Sequence, residues 1–331
     1  MNKNEINKEE INQLSDEFLS YIIEKIISKP ELYKQEPSEL IFHYTNLSGL
    51  ISIVENQCIW ATDLYFLNDR NEYKHGTSII NEVIESIKTE ENKFILHAIT
   101  EVLKDVSSVK RYVACFSKNG DSLSQWRAYG NNGTGVSIGF TRKKLETILI
   151  GDNSYRYIIY DKEKQKATIK LIVDEATNFF ATKKEKFNWS NNTYYLVVGY
   201  SISKFLDFVI ANYKDPAFEE EKEYRIECKQ FHNMLNTNAK KLRIYHRTNE
   251  KLVIPYTKIY TKPLDDPYDD PESELAFQVE QLPIKKIIIG PSSNQDEVIN
   301  GVKELLKNNV YPVGSLTYDV EIVKSEIPYR S

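Results

Sequence analysis

Apolar residues in the opening segment recur at helical spacing. Ile11, Leu14, Phe18, Ile22 and Ile26 share one face, and Pro30 closes the run, which predicts a leading helix within residues 1–36. A short apolar stretch, Leu40-Ile41-Phe42, runs into His43-Tyr44-Thr45 and reads as a strand. Leu47, Leu50, Ile51 and Val54 then mark a short helix, and Cys58-Ile59-Trp60-Ala61 a second strand. After the loop-like Asp63–Asp69 segment, two amphipathic helices are expected near 71–88 and 90–106. Strand composition returns at 112–117 and 136–140, separated by a long turn-rich connection that carries Gln125, Trp126 and Tyr129. Residues 155–160 read as a further strand, and two long helices fill 163–185 and 192–212. The remainder is strand-rich, at 223–229, 242–246, 252–259, 275–280, 285–289 and 318–323, with one helix near 294–308. The pattern describes an α+β chain with an N-terminal helical extension at 1–36 and a single domain at 37–331. A helical insertion at about 161–213 interrupts that domain.

Composition narrows the class. The 331 residues are 41% hydrophobic and 27% charged, enough apolar material for a substantial core. Lys and Arg number 43 against 48 Asp and Glu, so no global basic field draws nucleic acid, and any such contact must be local. One local cluster exists: Lys240, Lys241, Arg243, His246, Arg247 and Lys251 lie on predicted strands and their turn, where a solvated hairpin is the plainer reading. The three cysteines, Cys58, Cys115 and Cys228, are far apart and form no C-x-x-C, which disfavours a disulfide framework or a thiolate zinc site. The polar, acidic N-terminus and the lack of any 18-residue apolar run predict a cytoplasmic protein with no membrane partner.

Four constellations could carry chemistry. On a strand, His43 and Thr45 project to one face and Tyr44 to the other, offering hydrogen bonds to a ribose or amide and a ring for stacking. A half-buried histidine bonded to a backbone carbonyl explains the same residues. The run Glu221-Lys222-Glu223-Tyr224-Arg225 would place both carboxylates and Arg225 on one face, either beside a sugar or along a charged edge strand. Asp69, Glu72 and His75 would share a helical face, as a metal site or as a cap with surface charge. Cys115-Phe116-Ser117, followed by Gln125-Trp126-Arg127-Ala128-Tyr129, could wall a cleft, or Trp126 could simply anchor a loop. No G-x-G-x-x-G, P-loop, H-E-x-x-H or G-x-S-x-G occurs, and Gly130–Gly135 reads as a turn.

Read together, His43-Tyr44-Thr45, Ile59-Trp60-Ala61-Thr62, Leu67-Asn68-Asp69 with Glu72, Cys115-Phe116-Ser117, and Trp126 with Tyr129 form a collinear series. Phe218, Glu221, Glu223 and Arg225 extend it, as do Ile287-Ile288-Ile289-Gly290-Pro291 and Ser325-Glu326-Ile327-Pro328-Tyr329-Arg330. Over about residues 40–330 the series resembles a bacterial domain-of-unknown-function family. More remotely, its layout resembles the ADP-ribosyltransferase superfamily. That resemblance implies a mixed-sheet core with NAD as substrate and no metal. It implies transfer to a protein, RNA or DNA in a toxin–antitoxin or anti-phage setting, where an antitoxin or regulatory protein is a possible partner. It would make Glu223, Glu221 and His43 the catalytic set. NAD would be held by His43, Tyr44, Thr45, Tyr65, Asn68, Asp69, Ser117, Trp126, Arg127, Tyr129 and Arg225. Two departures are the long helical insertion before the late Glu and the unassigned middle tyrosine, for which Tyr65 or Tyr129 could serve. The rivals are a metal-dependent nuclease or hydrolase built on Asp69, Glu72, His75 and the Glu pair, and a non-catalytic sensor of a nucleotide or phage protein.

Overall fold

A computed structural model describes residues 8–33, 35–67, 72–105, 110–151, 153–187, 191–229, 242–249, 251–263, 279–309, 311 and 319–328. Most of the strand expected at 275–280 lies outside them, as do Asn68, Asp69, Lys240, Lys241, Tyr329 and Arg330. The chain is mixed α/β and divides into two compact units.

The first unit gathers residues 1–36, 68–109 and 158–219 and is helical. It contains α1 (Lys8–Ile27), α2 (Pro30–Tyr33), α4 (Glu72–Ile87), α5 (Lys93–Asp105), α8 (Lys162–Phe187) and α9 (Asn191–Ile210). Pro30 both ends the first helical run and opens α2, where its missing N–H costs nothing. The apolar stripe read from the sequence is the one buried: Phe18 and Ile22 are fully enclosed among Ile80, Ile99, Ile172 and Ile202. Phe18 meets Phe179 and Phe180 with ring centroids 5.4 and 4.9 Å away. His75, on α4, sits in this unit with Nε2 3.0 Å from Gln165 Oε1 and Nδ1 3.6 Å from Asp215.

The second unit, residues 37–67, 110–157 and 220–331, holds the sheet. Its strands are β1 (Leu40–Thr45), β2 (Cys58–Asp63), β3 (Arg111–Ser117), β4 (Val136–Thr141), β5 (Asn153–Tyr157), β6 (Glu223–Lys229), β7 (Ile244–Asn249), β8 (Leu252–Tyr260), β9 (Ile284–Ile289) and β10 (Glu321–Lys324). Helices α3 (Leu47–Asn56), α6 (Leu123–Ala128), α7 (Arg142–Ile148) and α10 (Gln295–Asn308) complete it. Among the described strands only β9 and β10, joined through α10, form a parallel ladder; the other ladders are antiparallel, so the sheet is mixed. One face buries Ile41, Leu50, Val54, Ile138, Phe140, Ile226, Ile259 and Ile287.

The sheet branches at β3. Along one edge, β6 pairs with all of β3, from Arg111↔Lys229 to Ser117↔Glu223, and β5 lies beyond β6. The other edge is divided between two strands. β1 reaches it at Phe42↔Ser117, and β2 reaches it at Thr62↔Val113 and Asp63↔Tyr112. From there β1 leads into β4, β9 and β10, while β2 leads into β8 and β7. Between these two attachments the ladder on that edge is interrupted.

Because Phe18 is wholly enclosed by aromatic and aliphatic neighbours, Phe18→Ala removes a buried ring that little can replace. The expected cost is about 3–5 kcal/mol, read from the denaturation midpoint of the helical unit.

Candidate functional site

His43 occupies the interruption in the β3 edge. Its Nδ1–H donates to the Cys115 carbonyl at 2.9 Å, at a position where β3 has β6 on its other side (Cys115↔Arg225). The ring also leans on Phe116, with centroids 5.5 Å apart. A carbonyl only accepts, so this bond fixes the proton on Nδ1 and leaves Nε2 as an acceptor in the neutral ring. Burial pushes the His43 pKa below its ordinary 6.5; the Cys115 carbonyl opposes that shift, and the nearby Arg247 charge reinforces it. Tyr44, on the opposite face, is a structural residue. Its hydroxyl donates to the Asn119 carbonyl at 2.9 Å and accepts from Ser122 N at 3.0 Å, and burial raises its pKa.

Thr45 ends β1 half-buried, and its carbonyl governs the neighbouring turn. A Cβ at Gly135 would lie 2.2 Å from Thr45 O, so only glycine permits that crossing. The Gly130–Gly135 segment is indeed a turn, with Asn132 and Gly133 at φ 54° and 87°.

Across β3, the carboxylates part company. Glu223 opens β6, buried, and grips Arg225 in a two-point pair: Nε to Oε1 at 2.5 Å and Nη2 to Oε2 at 2.9 Å. Glu221 is not on the strand. It ends a short 3-10 turn, Pro216–Glu221, and Lys222 takes a left-handed φ of 43° between the two acids. That backbone breaks the alternation expected for the run, so Glu221 and Glu223 do not share a strand face. The turn is held in place: Ser117 Oγ donates to the Glu221 carbonyl at 2.7 Å, Lys118 N donates to the Lys222 carbonyl at 3.0 Å, and Tyr129 OH donates to Glu221 Oε1 at 3.1 Å. Glu221 is half-buried and Tyr129 exposed.

The connection before β4, read as a turn-rich loop, contains α6, too short to announce itself by periodicity. Trp126 on α6 is fully buried, edge-on to Tyr44 at 4.8 Å, with Nε1 donating to Asp121 Oδ1 at 2.6 Å. Asp121 also accepts from Ser325 Oγ at 2.6 Å and Glu326 N at 2.8 Å. Sequence reading passed over Asp121, which links the Trp126 and Ser325-Glu326 segments of the motif series. Arg127 is exposed on α6. Tyr65, 72% exposed, lies in the turn after β2, its N–H bonded to Asp63 Oδ1 at 3.0 Å. Thus β3 has His43 on one edge and the Glu221–Glu223 segment at the other, with Glu223 on the sheet face opposite to that of His43. Among the described residues, no group of three or more His, Cys, Asp or Glu side chains is placed to hold a metal ion. No helix among them is long and apolar enough to cross a membrane.

Residues 125–226 match the family model described as protein of unknown function (DUF2971), a stretch that runs from α6 through the Glu221–Arg225 segment into β6. No curated protein and no solved structure matches the chain.

The depressed His43 pKa makes a pH prediction with a definite sign. The unfolded chain takes up a proton near pH 6.5 and the folded one only at lower pH, so stability falls as pH drops below about 6.5 towards the folded value. His43→Gln, which keeps a donor for Cys115 O, should remove that part of the acid-side loss in urea denaturation series at stepped pH.

Proposed function

We propose that the protein transfers ADP-ribose from NAD to a macromolecular acceptor through a site built around β3, on a core resembling that of ADP-ribosyltransferases. The observation carrying this reading is the placement of a neutral histidine acceptor and a turn-borne carboxylate on either side of one strand. Such a pair suits a substrate with ribose hydroxyls and a positively charged leaving group.

In the reaction, the bond from ribose C1′ to the nicotinamide nitrogen breaks and its electron pair leaves with nicotinamide. A nucleophilic atom of the acceptor then bonds C1′ and loses a proton. Positive charge builds on the ribose, so a fixed carboxylate beside it lowers the barrier. Glu221 suits that role, because Tyr129 and Ser117 orient it and both oxygens of Glu223 already face Arg225. Glu223 then acts as a positioning residue through Arg225. His43 Nε2 accepts a ribose hydroxyl. Tyr129 and Tyr65 offer exposed rings to nicotinamide, whereas Trp126 is enclosed beneath Tyr44. Arg127, exposed on α6, supplies the guanidinium for pyrophosphate. We place this activity in a prokaryotic toxin–antitoxin or anti-phage setting in the cytoplasm.

Incubation with labelled NAD and total cell lysate tests the reading: label should appear on protein, RNA or DNA as nicotinamide is released. Glu221→Gln should lower the rate about 10²–10³-fold with the fold intact. Glu223→Gln should instead cost stability, about 3–5 kcal/mol, by taking the carboxylate charge from the buried Arg225. Equal rates for Glu221→Gln and the parent would refute the assignment.

A further inference from the structure

The side of β2, β8 and β7 opposite the core has an unusual composition. Ile59, Ala61 and Ile259 point into the core, and the solvent-facing side of an antiparallel sheet is ordinarily polar. Here the register Thr62↔Tyr256, Trp60↔Lys258, Tyr245↔Tyr256 and Arg247↔Ile254 gathers aromatic and cationic side chains on that other side. Three rings run across the three strands: Tyr245 stacks on Tyr256 at 5.6 Å, and Tyr256 on Trp60 at 4.4 Å. Arg243 and Lys258 lie over the Tyr245 ring at 5.3 and 5.0 Å. Arg247 spans the strands to donate to Thr62 Oγ1 at 3.1 Å. Arg243 and Arg247 are exposed, as is 42% of Tyr260; Trp60, Tyr245 and Lys258 are half-buried, and Tyr256 and Thr62 between them are buried.

Among the described residues of these three strands, the charge on this side is of one sign. Neither β7 nor β8 contains an acid, and the sole acid of β2, Asp63, has the opposite strand parity and is buried. In a protein of net charge −5, a cationic, ring-bearing sheet surface stands against the average. Stacked rings beside guanidinium and ammonium groups match a polymer that alternates flat bases with phosphates, and single strands expose their bases for such stacking.

We infer that the β2–β8–β7 surface binds single-stranded nucleic acid, with phosphates on Arg243, Arg247 and Lys258 and a base extending the ring stack at Trp60. The stack leads from β7 through β8 to β2, whose far end flanks the gap that His43 fills, and the Arg247 charge is felt at His43. The bound strand would therefore lie beside the proposed ribose site. Its role as the acceptor of ADP-ribose rests on the function proposed above; binding itself does not.

Fluorescence anisotropy with labelled oligonucleotides of about 12 nucleotides, as single-stranded DNA, single-stranded RNA and duplex, tests this at about 50 mM salt. Saturable binding of single strands, at least tenfold tighter than duplex, is expected; the tighter of DNA and RNA names the natural ligand. The combined Arg243→Ala, Arg247→Ala and Lys258→Ala variant should weaken binding at least tenfold and reduce the log–log salt slope by about 2. Trp60→Leu should weaken it about tenfold with little change in slope. Thermal melts check that both variants fold; should the triple variant fail, Lys258→Gln with a slope reduced by about 0.7 serves instead. Absent binding, duplex binding as tight as single-strand binding, or an unaltered slope in the charge variant would overturn the inference. Label from NAD on protein together with no oligonucleotide binding would remove this surface and leave the transferase reading. Oligonucleotide binding without nicotinamide release would do the reverse.

Discussion

One edge of β3 serves two strands, and the hydrogen bond from His43 Nδ1 to the Cys115 carbonyl sits where they part. A backbone carbonyl on an interrupted edge must find a donor, because an orphaned one costs about as much as a lost hydrogen bond. Here an imidazole supplies that donor in place of a neighbouring strand. The substitution has consequences beyond the local bond: it sets the tautomer of His43, holds the ring where burial lowers its pKa, and lets β1 and β2 diverge into separate branches of one sheet.

The opposite edge solves a different problem. Glu223 enters β6 as a buried charge, which is tolerated because Arg225 meets both of its oxygens. Left-handed Lys222 then turns Glu221 out of the strand, where Ser117 and Tyr129 hold it. Such a backbone is costly for a non-glycine residue, and it persists where the surroundings enforce it. Two carboxylates separated by one residue thereby acquire different surroundings, one buried against Arg225 and one half-buried in the turn beside Tyr129.

Much of this was legible in the sequence. The apolar spacing of Ile11 to Ile26, the β-branched and aromatic runs other than 275–280, and the long helices near 163–185 and 192–212 match α1, strands of the sheet and α8–α9. The His43 and Cys115 strands are legible because each is a short apolar run ending in polar residues. What escaped is short or non-local. α6 and α7 span six and seven residues, fewer than two full turns, so no stripe accumulates. The run from Glu221 to Arg225 alternates as a strand should, and nothing in it declares the left-handed backbone at Lys222. The grouping of α1 with α4, α5, α8 and α9, drawn from three stretches of chain, is a matter of tertiary packing that no single window of sequence contains. The same is true of the shared β3 edge and of the ring stack joining Trp60 to Tyr245.

The central claim is that His43 presents an unprotonated Nε2 to a ribose-bearing ligand. Long-range proton–nitrogen correlation spectra of the histidine rings at neutral pH, recorded without and with saturating NAD, test it most directly. The account predicts an Nδ1–H tautomer for His43 and a displaced Nε2 resonance once NAD is added. An Nε2–H tautomer, an imidazolium, or an Nε2 signal indifferent to NAD would contradict it.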